Sequence, residues 1–314
     1  MKHENILVVG GSGFVGRHLV AALAARGVRV TVPTRRRERA KHLILLPTVD
    51  VVEVERLDSP TLEKLAAGRD AVVNLAGILH GPGFKFVHAE LALAIVNACR
   101  RAGVRTLLHL SALGADPNGP SEYLRSKGVG EQAVLAAEDL EVTVFRPSVI
   151  FGPEDRFLNL FARLAAFFPV LALGSPGARF QPVYVGDVVS AMMAALESRA
   201  HSTGTGGKRY DLCGPREYTL RELFELVCAI TGRRRLVIGL PDGLSYLQAW
   251  AFEVLPFFRL LSRDNYFSMR VPSVCNCGFP FGIQPALLDA LAPSWLTPTG
   301  PRERYPQLRW KAKR

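Results

Sequence analysis

Apolar and polar positions along the chain fall into short blocks whose periods differ. Ile6-Leu7-Val8-Val9 is an unbroken apolar run with the β-branched bias of a buried strand. Residues 17–26 then follow a helical pattern closed by Gly27. The alternation repeats, with strands predicted at 28–32, 49–54, 70–77 (strand and exit), 106–110 and 142–145. Between them, Ser59 reads as a helix cap with Pro60 at the first helical position, and Val87, Leu91, Ile95 and Ala98 form an apolar stripe at helical spacing. Further on, an apolar helix is predicted over 157–168, Asp187 reads as the cap of a following helix, and Thr219 with Glu222 forms a capping box for a helix ending at Gly232. Strands alternating with helices predict an α/β fold: a Rossmann-type, doubly wound parallel sheet with a smaller C-terminal α/β lobe. The expected division is a nucleotide-binding domain over 1–175, with later elements interleaved, and a substrate or partner lobe over 176–314.

Candidate chemistry begins where the first strand turns into the first helix, at Gly10-Gly11-Ser12-Gly13-Phe14-Val15-Gly16. Gly10 permits the tight turn, Gly13 leaves room for a diphosphate against the backbone, and Gly16 lets the helix pack close to the strand. Free amides and the positive helix end favour an anion there. The Gly-x-x-Gly-x-x-Gly spacing resembles the short-chain dehydrogenase/reductase superfamily, in its extended or atypical branch. That resemblance implies a nicotinamide dinucleotide, whereas the residues alone specify a diphosphate at a helix N-terminus.

The end of the second strand bears on which dinucleotide. NAD-selective sites usually carry a carboxylate there for the ribose hydroxyls. Here Thr34-Arg35-Arg36-Arg37 follows Pro33, with no acid until Glu38. A carboxylate repels a 2′-phosphate and a guanidinium binds it, so NADP(H) is expected over NAD(H), with Arg35 as the main contact and Thr34 and Arg36 assisting. Asp58 is either an acid near the adenine amino group or a plain loop acid. Leu75-Ala76-Gly77, at the exit of the fourth strand, provides small residues beside the cofactor ribose. His80 sits in the loop beyond, facing substrate or simply exposed.

Tyr123-Leu124-Arg125-Ser126-Lys127 carries the acid–base signature. Four-residue spacing on a helix puts phenol and ammonium on one face, where the lysine lowers the phenol pKa and can also bond the nicotinamide ribose. Ser111, at the end of the fifth strand, is the candidate to orient a substrate oxygen. Extended members usually carry further Ser or Thr just beyond this position, and here those positions are Ala112 and Leu113, which puts an intact triad in question. Arg146-Pro147-Ser148-Val149 resembles the stretch that packs along the nicotinamide, so Pro147 and Val149 join the expected cofactor contacts.

Composition narrows the setting. The chain of 314 residues is 48% hydrophobic, enough to rule out a disordered polar chain. Its formal charge of +11 is spread over dispersed arginines without a nucleic-acid motif, which suits solubility, an anionic cofactor or a membrane surface. Five cysteines (Cys99, Cys213, Cys228, Cys275 and Cys277) make an odd count without a disulfide framework, as expected in a reducing compartment. Cys275-Asn276-Cys277 lacks a second pair or nearby histidines, so no metal site is expected. The N-terminal apolar run is too short for a signal peptide, and no stretch is a clean transmembrane helix. A cytoplasmic protein, or one peripheral at the inner face of the cytoplasmic membrane, is expected. Residues 244–261, rich in Leu, Phe and Trp and flanked by Arg259 and Arg263, are either a lid over the substrate pocket or a face for a membrane interface.

Taken together, residues 111–116, 123–127, 145–155 and 181–188 resemble bacterial relatives of the nucleotide-binding accessory subunit of mitochondrial respiratory complex I. The resemblance covers nearly the whole chain and is most specific through residue 232. It implies tight NADPH binding and a place beside a membrane-embedded respiratory partner near a quinone site, and extended members often dimerise through the helix bearing Tyr123. Two functions stay open. One is an NADP(H)-dependent reductase, dehydratase or epimerase acting on an apolar, quinone- or isoprenoid-like small molecule. The other is a non-catalytic NADPH-binding module of a respiratory or quinone-related assembly.

Overall fold

A computed structural model describes residues 3–79, 81, 83–197, 207–254 and 262–297. Its first half is a regular alternation: β1 (Asn5–Val9), α1 (Phe14–Ala25), β2 (Arg29–Thr34), a short α2 (Lys41–Ile44), β3 (Val49–Glu53), α3 (Ser59–Ala66), β4 (Ala71–Asn74), α4 (Leu91–Ala102), β5 (Thr106–Leu110), α5 (Glu122–Leu135) and β6 (Glu141–Pro147). The second half runs β7 (Ile150–Phe151), α6 (Phe157–Phe167), β8 (Val170–Leu173), β9 (Arg179–Phe180), β10 (Val183–Tyr184), α7 (Val185–Glu197), β11 (Lys208–Leu212), β12 (Tyr218–Thr219), α8 (Leu220–Ile230), β13 (Leu236–Gly239), α9 (Asp242–Val254), α10 (Arg263–Ser268), α11 (Leu288–Leu291) and α12 (Pro293–Leu296).

Seven strands form one sheet in the order β11-β6-β5-β4-β1-β2-β3, and every pairing is parallel. Strands buried on both faces must be apolar throughout, which is why Ile6–Val9 and Val72–Val73 show no alternation. One face packs against α1 and α7, through Leu19, Leu23, Val188 and Met192; the other packs against α3, α4 and α5, through Leu62, Ile95 and Val134. The winding reverses between β1 and β4, so the crevice at their carboxyl ends is the place where such sheets take ligands. A separate apolar cluster of Phe151, Phe161, Leu223 and Phe224 packs α6, α8 and the small strand pairs together.

Three local expectations are corrected. Ser59 is not the cap of α3: Asp58 is, accepting from the Thr61 amide at 3.0 Å, which leaves Ser59 at the first helical position and Pro60 at the second. Asp187 does not close its own helix. It lies in the first turn of α7 and accepts from the Ala286 amide at 2.7 Å, anchoring a segment 99 residues away. The absence of a disulfide fails too, because Cys213 and Cys275, 62 residues apart, are joined. Residues 273–278 form a strap alongside β9, bridged by Phe180 and Ser273, and this carries Cys275 over the end of β11. No sequence spacing announces that contact.

Candidate functional site

The glycine turn is built as its spacing implies. Gly10 has φ +83°, and a Cβ there would lie 2.8 Å from the Leu75 carbonyl carbon, so only glycine fits between the two strand ends. A Cβ on Gly16 would lie 2.6 Å from Gly11 Cα, so α1 sits directly on the turn. Gly13 is the N-cap of α1 and is exposed. The first helical amides, from Phe14 onward, have no carbonyl one turn back to bond, and they face outward with the positive helix end. Gly11, Ser12 and Val15 complete the loop, whose rim meets Leu75 and Ala76. This donor set fits a diphosphate.

At the end of β2, Thr34 is buried and its hydroxyl bridges the Arg36 carbonyl and amide, which curls the chain outward. Arg35 and Arg36 stand exposed beyond it, and among the described residues neither makes an ion pair. Asp58 is exposed at the head of α3, and its hydrogen bonds to Thr61 hold its carboxyl below the usual range. His80, the Arg309–Arg314 tail and residues 255–261 of the apolar segment lie outside the described residues.

The candidate acid–base residues Tyr123 and Lys127 sit at the carboxyl ends of β4 and β5. Lys127 is 5% exposed and its Nζ donates to the Leu110 carbonyl at 3.0 Å. A Cβ on Gly77 would lie 3.4 Å from that Nζ, so the Leu75-Ala76-Gly77 exit and the lysine do converge. Burial pulls the Lys127 ammonium down to about 8, against the pull of Glu131 in the other direction. Tyr123 is half-buried, with its ring against Phe84 (6.1 Å between centroids) and His88 (5.6 Å). Burial pushes its phenol up to about 12, opposite to the expected lowering. Tyr123 is therefore protonated at neutral pH. Pro147 and Val149 join this end of the sheet, with the Pro147 carbonyl accepting from Leu113 N and the Val149 carbonyl from Val183 N.

Ser111 is engaged elsewhere. It is 3% exposed and donates to Glu131 Oε2 at 2.7 Å. Glu131 is itself buried and accepts from Arg146 Nε at 2.9 Å and Arg209 Nε at 2.7 Å. The serine thus closes a charge cluster beneath the site.

Three residues at the site escape sequence reasoning. His88 is buried, accepts from the Ile78 amide through Nε2 (3.1 Å), and pairs through Nδ1 with Ser126 Oγ (2.9 Å). Residues Lys85–Glu90 form a π-helical turn, and the wider turn moves the buried side from Val87 to His88. Burial, then Lys127, keeps His88 down to about 3 and hence neutral. Glu131 had a signal: it stands four residues past Lys127, on the same helical face. Asp264 of α10 had none. Its carboxylate accepts from Glu122 N (2.6 Å) and Tyr123 N (3.2 Å), capping the first turn of α5 from 141 residues away.

A parallel sheet in this order, with a glycine turn at the switch point, defines the class of dinucleotide-binding α/β proteins. The family model for the NAD dependent epimerase/dehydratase family matches residues 6–213, and the chain belongs to that family. It is 37% identical over 232 residues to the mitochondrial NADH dehydrogenase (ubiquinone) 1 alpha subcomplex subunit 9 of Arabidopsis thaliana, covering 70% of this chain and 56% of that protein. The chain therefore spans just over half the length of that relative. It is 33% identical over 243 residues to a ceramide reductase of Caulobacter vibrioides, covering 76% and 74% of the two chains. A dTDP-glucose 4,6-dehydratase from Streptomyces venezuelae, solved with NAD bound, shares the fold with a TM-score of 0.66 at 22% identity, covering 76% of this chain and 85% of that one.

Proposed function

We propose that this chain is an NADP(H)-dependent reductase in which Tyr123 gives a proton to an oxygen of an apolar substrate. The glycine turn would hold NADPH, with Arg35 on its 2′-phosphate, and the cofactor so held would supply a hydride. The observation that carries this reading is the meeting of Lys127 and Gly77 beside a protonated Tyr123 at the ligand-binding edge of the sheet. A phenol held near 12 serves as proton donor, which is the role reduction requires. Lys127 would hold the cofactor ribose. Phe84 packs on Tyr123, and the exposed Leu79 and Phe86 lie two residues from Gly77 and Phe84, in keeping with an apolar substrate. The ceramide reductase likeness points the same way.

The second reading, an NADPH-holding module of a respiratory assembly, has its own support. Ser111 is committed to Glu131, and the Arabidopsis relative is by its name a subunit of such an assembly. Leu244, Leu247 and Trp250 of α9 are 50%, 54% and 47% exposed at three-residue spacing, a face suited to a membrane surface at its cytoplasmic side or to a partner. No helix among the described residues is long and apolar enough to cross a membrane.

The test is single-turnover oxidation of bound NADPH with quinone and long-chain ketone acceptors. Tyr123→Phe should slow it by about 10²–10⁴-fold without weakening NADPH binding. Arg35→Ala should weaken NADPH but not NADH. Stoichiometric NADPH that neither exchanges nor reacts establishes the holding module instead, and NADH bound as tightly as NADPH refutes the Arg35 assignment.

A further inference from the structure

Two i, i+2 pairs converge at the edge of the sheet. Asp211 lies near the end of β11, and Cys213 follows its last residue. Cys275 and Cys277 lie on the strap. One Asp211 carboxylate oxygen, Cys275 Sγ and Cys277 Sγ are all within 4.8 Å of one another, and Cys213 Sγ is bonded to Cys275 Sγ.

The two arms are held together by more than the disulfide. Gln181 accepts from the Cys275 amide at 2.9 Å through Oε1 and donates to the Gly214 carbonyl at 2.7 Å through Nε2, so one side chain ties strap to strand. Ser148 Oγ donates to the Ser273 carbonyl at 2.7 Å, and the Phe281 ring lies 4.9 Å from that of Tyr210. Opening the disulfide therefore leaves three sulfurs and a carboxylate gathered on a built frame.

We propose that reduction of Cys213–Cys275 creates a zinc site made of Asp211, Cys213, Cys275 and Cys277. A dithiol reductant supplies two electrons and two protons to the S–S bond and is itself oxidised to its disulfide. Zinc then takes three thiolates and the carboxylate, and three thiol protons pass to solvent. Tetrahedral zinc with bonds of about 2.3 Å to sulfur needs ligands about 3.7 Å apart, so the Asp211, Cys275 and Cys277 atoms, within 4.8 Å of one another, need close by at most about 1 Å, while the Cys213 and Cys275 sulfurs move apart once their bond opens. Zinc displaces the three thiol protons and pairs the resulting thiolates with a divalent charge. Oxidation would expel the metal and re-form the bond, so the site answers to redox state. The strap borders Ser148, between Pro147 and Val149, so metal occupancy would reach the nicotinamide end of the proposed cofactor site.

The experiment uses the full chain reduced without oxygen by a dithiol, desalted, and titrated with zinc, or with cobalt(II) as the spectroscopic probe. The expected result is one zinc per chain, with cobalt showing thiolate charge-transfer and tetrahedral d–d bands. Cys277→Ser should weaken binding by at least about tenfold and Asp211→Asn by less, with melting curves confirming both folds. Peroxide should release the metal. Reduced protein that takes up no zinc overturns the proposal, as does zinc uptake that Cys277→Ser leaves unchanged.

Discussion

Two successive turns of α5 bury opposite charges in opposite ways. Among the described residues the Lys127 ammonium has one protein acceptor, the Leu110 carbonyl, and a Cβ built on Gly77 would lie 3.4 Å from it. At Glu131 the carboxylate is saturated by Ser111, Arg146 and Arg209. A buried charge that is fully paired contributes structure, because its hydrogen-bonding capacity is already used. One that is underpaired is strained toward neutrality and can engage a ligand. The difference separates a candidate chemical group from a structural one a single turn away, and it explains why Ser111 belongs to the second.

The contrast can be broken most severely at Glu131. Glu131→Gln should destabilise the fold by about 3–5 kcal/mol in urea unfolding, because it leaves Arg146 and Arg209 facing an amide. A loss below about 1 kcal/mol would show that the cluster is solvated. Ser111→Ala removes a hydrogen bond to a charged acceptor and should cost about 1.5–3 kcal/mol. Any hydride transfer should change less than about twofold, whereas a serine touching substrate would cost at least about a hundredfold.

Lys127 should behave in the opposite sense. Its folded pKa of about 8 lies below the ordinary 10.5, so between these values the unfolded chain binds more protons. Stability should therefore rise with pH from about 8 toward 10, by up to about 1.4 kcal/mol per unit, and the burial penalty is complete below 8. Comparing urea midpoints of wild type and Lys127→Met across that range isolates the effect. The variant should lose the rise and be no less stable at pH 7. A parallel pH profile in both would mean that Lys127 is hydrated.

Much of this was visible in order along the chain. The strand that ends at Val9, the glycine turn and the helix after it are contiguous, and local sterics leave one arrangement. The capping box at Thr219 and Glu222 formed as its four-residue signature implies. Where a short-range rule had two neighbouring candidates, it slipped by one: Asp58 rather than Ser59 caps α3. Where a helix widened into a π turn, periodicity named Val87 and the structure buried His88.

By itself the sequence determined the alternating elements, the parallel sheet, the anion-binding turn and the shared face of Tyr123 and Lys127. The elements, the turn and the shared face follow from backbone geometry and side-chain period within one or two turns of chain, and the parallel sheet from the strand–helix alternation they set up. Only the tertiary structure decided where Ser111 spends its hydrogen bond, that Asp264 caps the helix of Tyr123, and that Cys213 meets Cys275. Those contacts join residues 20, 141 and 62 positions apart, and their energies depend on partners that no local pattern names.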